Sequence, residues 1–311
     1  MKRAVVTGGA GFIGSHIVKE LLRKGYEVAV IDNFSTGKRE NLRGLDVSIY
    51  ECDITSPEVM DLIVSLEPHY IIHQAAQVSV AESIQDIVYD EQVNVKGSLH
   101  VIKAAVKSRV KKLVFASSAA VYGNPVALPV SMNHPTRPES PYGLTKLTVE
   151  NYLKLANKLY GLAFSILRYS NVYGPKQSAK GEGGVVAIFA DRIQSGQAPV
   201  IFGDGEQTRD FIFVEDVAAA NVKAIDPEGN ISVNISSGKS ISINELLHTI
   251  NTVNGTALKA QYREERKGDI RHSLLTNDAA KILLDWEPAF DITSGLQETF
   301  KHTLNQPAGS L

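Results

Sequence analysis

One cysteine in 311 residues, Cys52, leaves no intrachain disulfide to form, which fits a reducing compartment. Surplus charge is lacking too. Thirty-two basic side chains against 34 acidic ones give a net charge of −2, which offers no electrostatic attraction to nucleic acid. No basic stretch forms a membrane-surface patch, and no apolar run approaches the roughly 20 residues of a membrane helix. The opening "MKRAVVTGG" moves from two basic residues straight into a glycine turn, without the apolar core and cleavage site of a signal peptide. Repeats, low-complexity tracts and Pro/Ser-rich linkers are also missing. These absences imply a cytoplasmic chain with no nucleic-acid and no membrane partner.

What is present is an alternation. Hydrophobic residues make up 43% and charged ones 21%, ordinary for a protein with a sizeable core. The runs "RAVVT", "EVAVID", "VSIYE", "YIIHQ" and "KLVFAS" are short, β-branched and closed by turn or small residues, as buried parallel strands are. Helical periods separate them. "GSHIVKELLRKG" shows one apolar face of Ile17, Leu21 and Leu22, with Gly25 beyond its last turn. "SPEVMDLIVSLEP" predicts a helix with Ser56 as N-cap and Pro57 at its first position. The pattern predicts an α/β fold, a doubly wound parallel (Rossmann) sheet with ligands at the carboxyl ends of its strands. After "AFSILRYSNVYGP" the alternation stops, until "DVAAANVKAI" and "ISVNIS" return a helix and a strand to the sheet. The expected division is a dinucleotide-binding domain over 1–169, rejoined by 211–236, and a smaller mixed α/β region woven from 170–210 and 237–311.

"VVTGGAGFIGSH" places Gly8, Gly11 and Gly14 between the first strand and its helix. Glycines let the backbone turn tightly and approach a pyrophosphate, which the helix N-terminus favours electrostatically. The second strand ends in Asp32, whose carboxylate can accept from both ribose hydroxyls and would repel a 2′-phosphate. That favours NAD over NADP against the pull of Lys38 and Arg39; the other role open to Asp32 is to cap the turn "DNFSTG". Asp53, after the third strand, is placed to reach the adenine.

"SPYGLTKLTVENYLKLA" holds Tyr142 and Lys146 at i, i+4 on a helix announced by Ser140 and Pro141. That spacing puts both side chains on one face, with Cβ atoms ~5–6 Å apart. A neighbouring ammonium lowers a phenol's pKa from its usual value near ~10, so a phenolate can take a proton from a sugar alcohol. Upstream, "SSAAVYG" ends the strand "KLVFAS" in small side chains that leave space beyond its tip.

"TGGAGFIGSH", "HQAA", "NVKG", "SSAAVYG", "SPYGLTK" and "RYSNVYGP" resemble the extended short-chain dehydrogenase/reductase family over nearly the whole chain. "GEGGVVAIF", "IFGDGEQTRDFIFVEDVA" and "RKGDIRHS" resemble its nucleotide-sugar branch, and most of all the UDP-hexose 4-epimerases. The resemblance implies that Tyr142 is the acid/base, that Lys146 orients the nicotinamide ribose and that Ser118 hydrogen-bonds the reacting hydroxyl. It implies further NAD contacts at Phe12, Ile13, Asn33, Ser35, Thr36, Gly37, Ile54, Gln74, Ala75, Ala76, Asn94, Ser117 and Ser170. It assigns the UDP-sugar to Asn171, Val185, Val200, Phe202, Arg209, Arg266 and Asp269. Arginines also suit a diphosphate by their bidentate geometry, although Arg209 could pair with Asp210 and Arg266 with Asp269. The position that gates the C2 side of the hexose in these epimerases is Ser273 here, small enough to admit N-acetylhexosamines. Homodimers are usual in the family, through helices such as "EQVNVKGSLHVIKAAVKS" and "YGLTKLTVENYLKLANKLYG".

Other chemistries remain open. A 4,6-dehydratase of this branch carries an Asp–Glu pair after the residue matching Ser118, where this chain has Ala119 and Ala120. A decarboxylase or uronate epimerase would need a carboxylate-binding group, for which Lys176 or Lys180 could serve. A dinucleotide-binding sensor without catalysis is opposed by the intact Ser118, Tyr142 and Lys146. No metal is expected: His69 and His73 flank the strand "YII" and stand roughly 13 Å apart. Cys52 reads as a structural thiol.

Overall fold

The computed structural model describes residues 2–179, 184–265 and 270–304. Its main sheet contains β1 (Arg3–Thr7), β2 (Glu27–Asp32), β3 (Ser48–Glu51), β4 (Tyr70–His73), β5 (Lys112–Ser118), β6 (Phe164–Tyr169) and β10 (Ile231–Ile235). The spatial order is β10-β6-β5-β4-β1-β2-β3, with every pairing parallel. Chain direction across the sheet reverses between β1 and β4, which opens a crevice at their carboxyl ends.

Side chains alternate across this sheet, and both faces are covered. Val5, Ile31, Ile71, Phe115 and Ile166 pack on one face against Val59, Val101 and Val149. Val6, Val30, Ile72, Val114 and Leu167 pack on the other against Ile17 and Val217. Apart from the exposed edge strand β3, the strands are near-continuous apolar runs because neither face meets water.

The helices carry the expected punctuation with one exception. Phe12–Arg23 is followed by Gly25 at φ +78°, and Pro141–Tyr160 is capped by Ser140 Oγ, which accepts from the Gly143 amide at 3.1 Å. The second helix runs Glu58–Ser65 with Pro57 as its N-cap and no side-chain cap. Ser56, expected at that place, turns its hydroxyl to the Glu58 carboxylate instead. The competing acceptor two residues on draws the hydroxyl away from the helix amides.

The smaller region holds two further sheets. One orders β11 (Ser240–Ser242), β9 (Thr208–Phe213) and β7 (Asn171–Tyr173); the other pairs β12 (Gln261–Arg263) with β8 (Val200–Phe202). Its core gathers Tyr173, Phe189, Phe211, Phe213, Leu246 and Leu296. Strand β9 runs on to Phe213, so the return to the main sheet starts with the helix Val214–Lys223. Asp216 in the first turn of that helix accepts from the Ala289 and Phe290 amides at 2.8 and 3.2 Å, tying the two regions together. Among the described residues no helix is long and apolar enough to cross a membrane.

Candidate active site

The glycine turn lies at the crevice between β1 and β4. Gly8 adopts φ +69°, and a Cβ there would stand 2.6 Å from the Ala75 amide nitrogen after β4. A Cβ on Gly14 would collide with the Gly8 carbonyl. The turn is therefore locked against both its helix and the neighbouring strand, as a close backbone approach to a phosphate requires. The helix Phe12–Arg23 has no side-chain cap at Gly11 and no acid in its first turn, so its positive end is left to an anion.

Asp32 ends β2 and is buried. Its Oδ2 accepts from the Ala10 amide and its Oδ1 from the Phe34 amide, both at 2.9 Å. The capping role is thus real. Each carboxylate oxygen keeps a second acceptor direction, so a ribose contact is compatible with it. Of the basic pair beside it, Arg39 bonds Glu51 at 2.5 Å and stacks on the Phe34 ring at 4.2 Å. That guanidinium is engaged with an acid, which weakens the case for a 2′-phosphate. Asp53 accepts from Thr55 N at 2.7 Å and Asn33 Nδ2 at 2.8 Å; burial works to raise its pKa, but these bonds outweigh it and hold the carboxyl below the usual range. Asn33 in turn accepts from the amide and hydroxyl of Ser35, which with Thr36 is exposed at the loop surface. Gly37 packs against Asp32, and Ile54 is buried under Gly97.

The small-residue end of β5 meets the start of the helix Pro141–Tyr160. Gly143 allows this, since a Cβ there would stand 2.5 Å from the Ala120 carbonyl oxygen. The contact sets the first helical turn, with Tyr142, against the turn that begins at Ser118. Ser118 is half-buried and its Oγ accepts from the Ala120 amide at 3.2 Å. Lys146, one turn beyond Tyr142, is buried. Its Nζ donates to the Ala116 carbonyl at 3.0 Å and stands 5.7 Å from the Tyr142 ring centroid. Burial pushes the Lys146 pKa down to about 8, with the Asp90 charge acting the other way.

Behind these side chains runs a buried polar framework. Thr7 Oγ1 lies 2.7 Å from His73 Nδ1, and His73 Nε2 lies 2.8 Å from Ser98 Oγ, which donates to the Asn94 carbonyl. With that hydroxyl proton committed, Nε2 carries the imidazole proton and Nδ1 accepts from Thr7. Burial, then the Lys146 charge, pushes the His73 pKa down to about 3, so the ring is neutral. His69 instead accepts from the Arg3 amide through Nδ1, so the two histidines serve different partners. Asn94 Nδ2 donates to the Gln77 carbonyl, Asp90 and Thr145, and Asn94 Oδ1 accepts from the Gln77 amide. Ser117 donates to the buried Glu150 at 2.6 Å, and Glu150 holds Arg168 in a bidentate pair. Asn94 and Ser117, expected as cofactor contacts, therefore turn their side chains to the interior. Gln74, just after β4, donates to Tyr169 at the end of β6 and to Asn221 on the helix Val214–Lys223, with Ala75 and Ala76 half-buried beside it.

On the substrate side, Asp210 accepts from Ser170 Oγ, from the amide and hydroxyl of Ser237, and from the Leu275 amide. It is not the partner of Arg209, whose NH1 donates to the Thr208 carbonyl at 2.9 Å. Asn171 is exposed at the start of β7, Val185 opens the helix Val185–Gln194, and Val200 and Phe202 bound β8. Phe202, Gly203, Gln207, Glu265, Ile270 and Arg271 line a cleft, with Arg271 in a bidentate pair with Asp204. Ser273 is half-buried and its amide donates to Thr208 O at 3.1 Å. Arg266, Asp269 and Lys180 lie outside the described residues. Lys176 donates to Asn41 O at 2.8 Å, which directs its ammonium to the loop after β2.

Sequence reading passed over Asp90, Gln77, Thr145 and the Glu150–Arg168 pair. The signal for Asp90 was its place four residues before Asn94, the spacing at which two helical side chains meet, and the structure joins them at 2.9 Å.

Residues 4–236 match the NAD dependent epimerase/dehydratase family. The chain belongs to that family. Its relatives within the family include a putative UDP-glucose 4-epimerase of Methanocaldococcus jannaschii, 45% identical over 94% of this chain and 95% of the relative. Among solved structures, this epimerase-family fold is similar to the UDP-glucose 4-epimerase of Thermotoga maritima with UDP-glucose (TM-score 0.94, 42% identity, 97% and 98% of the two chains). It is as similar to the UDP-N-acetylglucosamine 4-epimerase of Methanobrevibacter ruminantium with UDP-N-acetylmuramic acid (TM-score 0.94, 37%, 98% and 99%). The Thermus thermophilus UDP-glucose 4-epimerase with NAD superposes at TM-score 0.90 with 40% identity over 97% and 99%.

Proposed function

We propose that the chain interconverts UDP-hexoses at C4 through a transient 4-keto sugar, using NAD. The observation that supports this is the packing of the helix start bearing Tyr142 and Lys146 against the turn that begins at Ser118, with Ala119 and Ala120 where a dehydratase needs acids. Bound NAD supplies the acceptor and donor of the hydride. Gly8, Gly11 and Gly14 would hold its pyrophosphate, Asp32 and Asp53 its adenosine end, and Lys146 its nicotinamide ribose.

Tyr142 removes the proton of the C4 hydroxyl as hydride leaves the same carbon, and gives it back after the keto sugar has rotated. Ser118 holds the same oxygen by a hydrogen bond. Lys146 supplies positive charge that favours the phenolate. One acid/base suffices because nothing is eliminated; the proton and the hydride both return.

Residues 1–169 and 214–236 are assigned to the cofactor, and 170–213 with 237–311 to the nucleotide sugar. Arg209 and Arg266 are assigned to the diphosphate, and Asn171, Val185, Val200, Phe202 and Asp269 to the rest of the UDP moiety. Ser273 leaves room at the hexose C2 side, which supports turnover of N-acetylhexosamines as well. The similarity to an N-acetylglucosamine 4-epimerase is in line with this. Separate incubation with UDP-galactose, UDP-GalNAc and UDP-glucuronate, with products resolved by chromatography, tests the reading. Epimerisation of the first two and none of the third is expected. Reaction of UDP-galactose alone would refute the role of Ser273, and net accumulation of NADH would point to a dehydrogenase.

A homodimer is also proposed. Leu144, Leu155 and Leu159 on the helix Pro141–Tyr160 are exposed, as are Ile84, Ile87 and Val88 on the helices packed beside it. An apolar face of this extent is suited to a second copy. Light scattering should return about twice the 33.8 kDa of one chain.

A further inference from the structure

Asp90 is wholly buried on the short helix Ile87–Glu91, and the proton transfer described above makes no use of it. Its Oδ1 accepts from Gln77 Nε2 at 2.8 Å and from Asn94 Nδ2 at 2.9 Å. Its Oδ2 accepts from Thr145 Oγ1 at 3.0 Å. All three donors are neutral. They solvate a charge without cancelling it, and a buried carboxylate in a low-dielectric interior then acts on the nearest cation. Thr145 immediately precedes Lys146, whose ammonium is buried against the Ala116 carbonyl and the rings of Phe115 and Tyr142.

The other titratable groups around Lys146 are accounted for. His73, from β4, is neutral. Glu150, one turn further along the helix, is taken by Arg168 and Ser117. Tyr142 is the group that exchanges the substrate proton. Among the described residues, Asp90 is the anion left to balance Lys146.

We propose that Asp90 is a positioning residue of this site: its buried charge keeps Lys146 protonated, and its bond to Thr145 fixes the helical turn that carries Tyr142 and Lys146. The inference rests on the epimerase reading. Its consequence is a pH limit. The Lys146 ammonium is lost as pH rises through about 8, and Asp90 is what holds that limit up. Removing the anion makes the ammonium less favourable, so the limit moves down.

The test follows kcat and KM for UDP-galactose against pH in the wild type, Asp90→Asn, Asp90→Ser and Thr145→Val, with folding checked by circular dichroism. In both Asp90 variants the alkaline limb is expected about one pH unit lower, on top of the even loss that comes with the broken bond to Thr145, so that the ratio of kcat to that of wild type is about tenfold lower at about pH 9 than at about pH 6. Thr145→Val keeps the charge, so its limb stays in place while kcat falls evenly at every pH. NAD retained after gel filtration, read by absorbance over the same pH range, should shift with the limb and needs no turnover. An unmoved limb and unmoved retention in the Asp90 variants would overturn the proposal, as would an equal shift in Thr145→Val or failure of both Asp90 variants to fold. A wild type that retains NAD but does not epimerise would sink the functional reading, whereas the retention shift would still decide the role of Asp90.

Discussion

In the dinucleotide half of the molecule, every proposed functional group lies at the carboxyl end of a strand or in the first turns of the helix that follows. Gly8 to Gly14 runs from the end of β1 into the next helix; Asp32 ends β2 and Asp53 follows the neighbouring β3; Tyr142 and Lys146 share a helical face. The substrate half is assembled the other way. Strand β8 at Val200–Phe202 pairs with β12 at Gln261–Arg263, and β9 joins β7 on one side to β11 on the other. The first half presents its chemistry from a rigid sheet buried on both faces, and the second from short strands brought together over long stretches of chain. Groups that move protons and hydride need the fixed frame, whereas groups that hold a diphosphate can be supplied by side chains of longer reach.

The largest effect that would sharpen this contrast comes from Tyr142→Phe. Only the hydroxyl is lost, so turnover should fall by about 10³–10⁴ while NAD is retained as in wild type. A twofold loss would mean that the base lies elsewhere and that the fixed frame does not carry the proton chemistry.

This contrast also explains what was legible in the chain. The main sheet could be read strand by strand because each strand is a short apolar run closed by a turn residue, and its ligand-facing motifs are contiguous. The partner of Arg209 could not be read. Asp210 is adjacent in sequence, but β-strand alternation sends the two side chains to opposite faces, and Asp210 is claimed by Ser170, Ser237 and Leu275. For Asn94 and Ser117, which way the polar side chain turns depends on Asp90 and Glu150, which come from other elements and stand apart in the chain from the motifs that were read. A capping residue such as Ser56 was misjudged by a single competing acceptor.

An intermediate effect is expected in the other half. Arg209→Ala removes a cation assigned to the diphosphate and leaves the proton chemistry in place. KM for UDP-galactose should rise about 10- to 100-fold with NAD retention unchanged. A fall in kcat at unchanged KM, by contrast, would make Arg209 part of the reacting frame and erase the distinction between the halves.

The smallest effect concerns the seam. Asp216 belongs to a helix of the main sheet, yet its carboxylate accepts from Ala289 and Phe290 of the other region, and its carbonyl accepts from Trp286 Nε1 at 3.1 Å. Burial raises its pKa to about 6 despite the two amide donors. The folded protein therefore binds this proton more tightly than the unfolded chain, whose carboxyl titrates near ~4. Stability from this group is fully present below the unfolded value and is lost as pH rises through about 6. Asp216→Asn cannot titrate, so the Tm advantage of wild type over the variant should be larger at about pH 4.5 than at about pH 7, by a few degrees. Equal differences at both pH values would show that the two regions are not joined through a titrating Asp216, and the seam would then rest on the bond from Trp286 Nε1 to the Asp216 carbonyl.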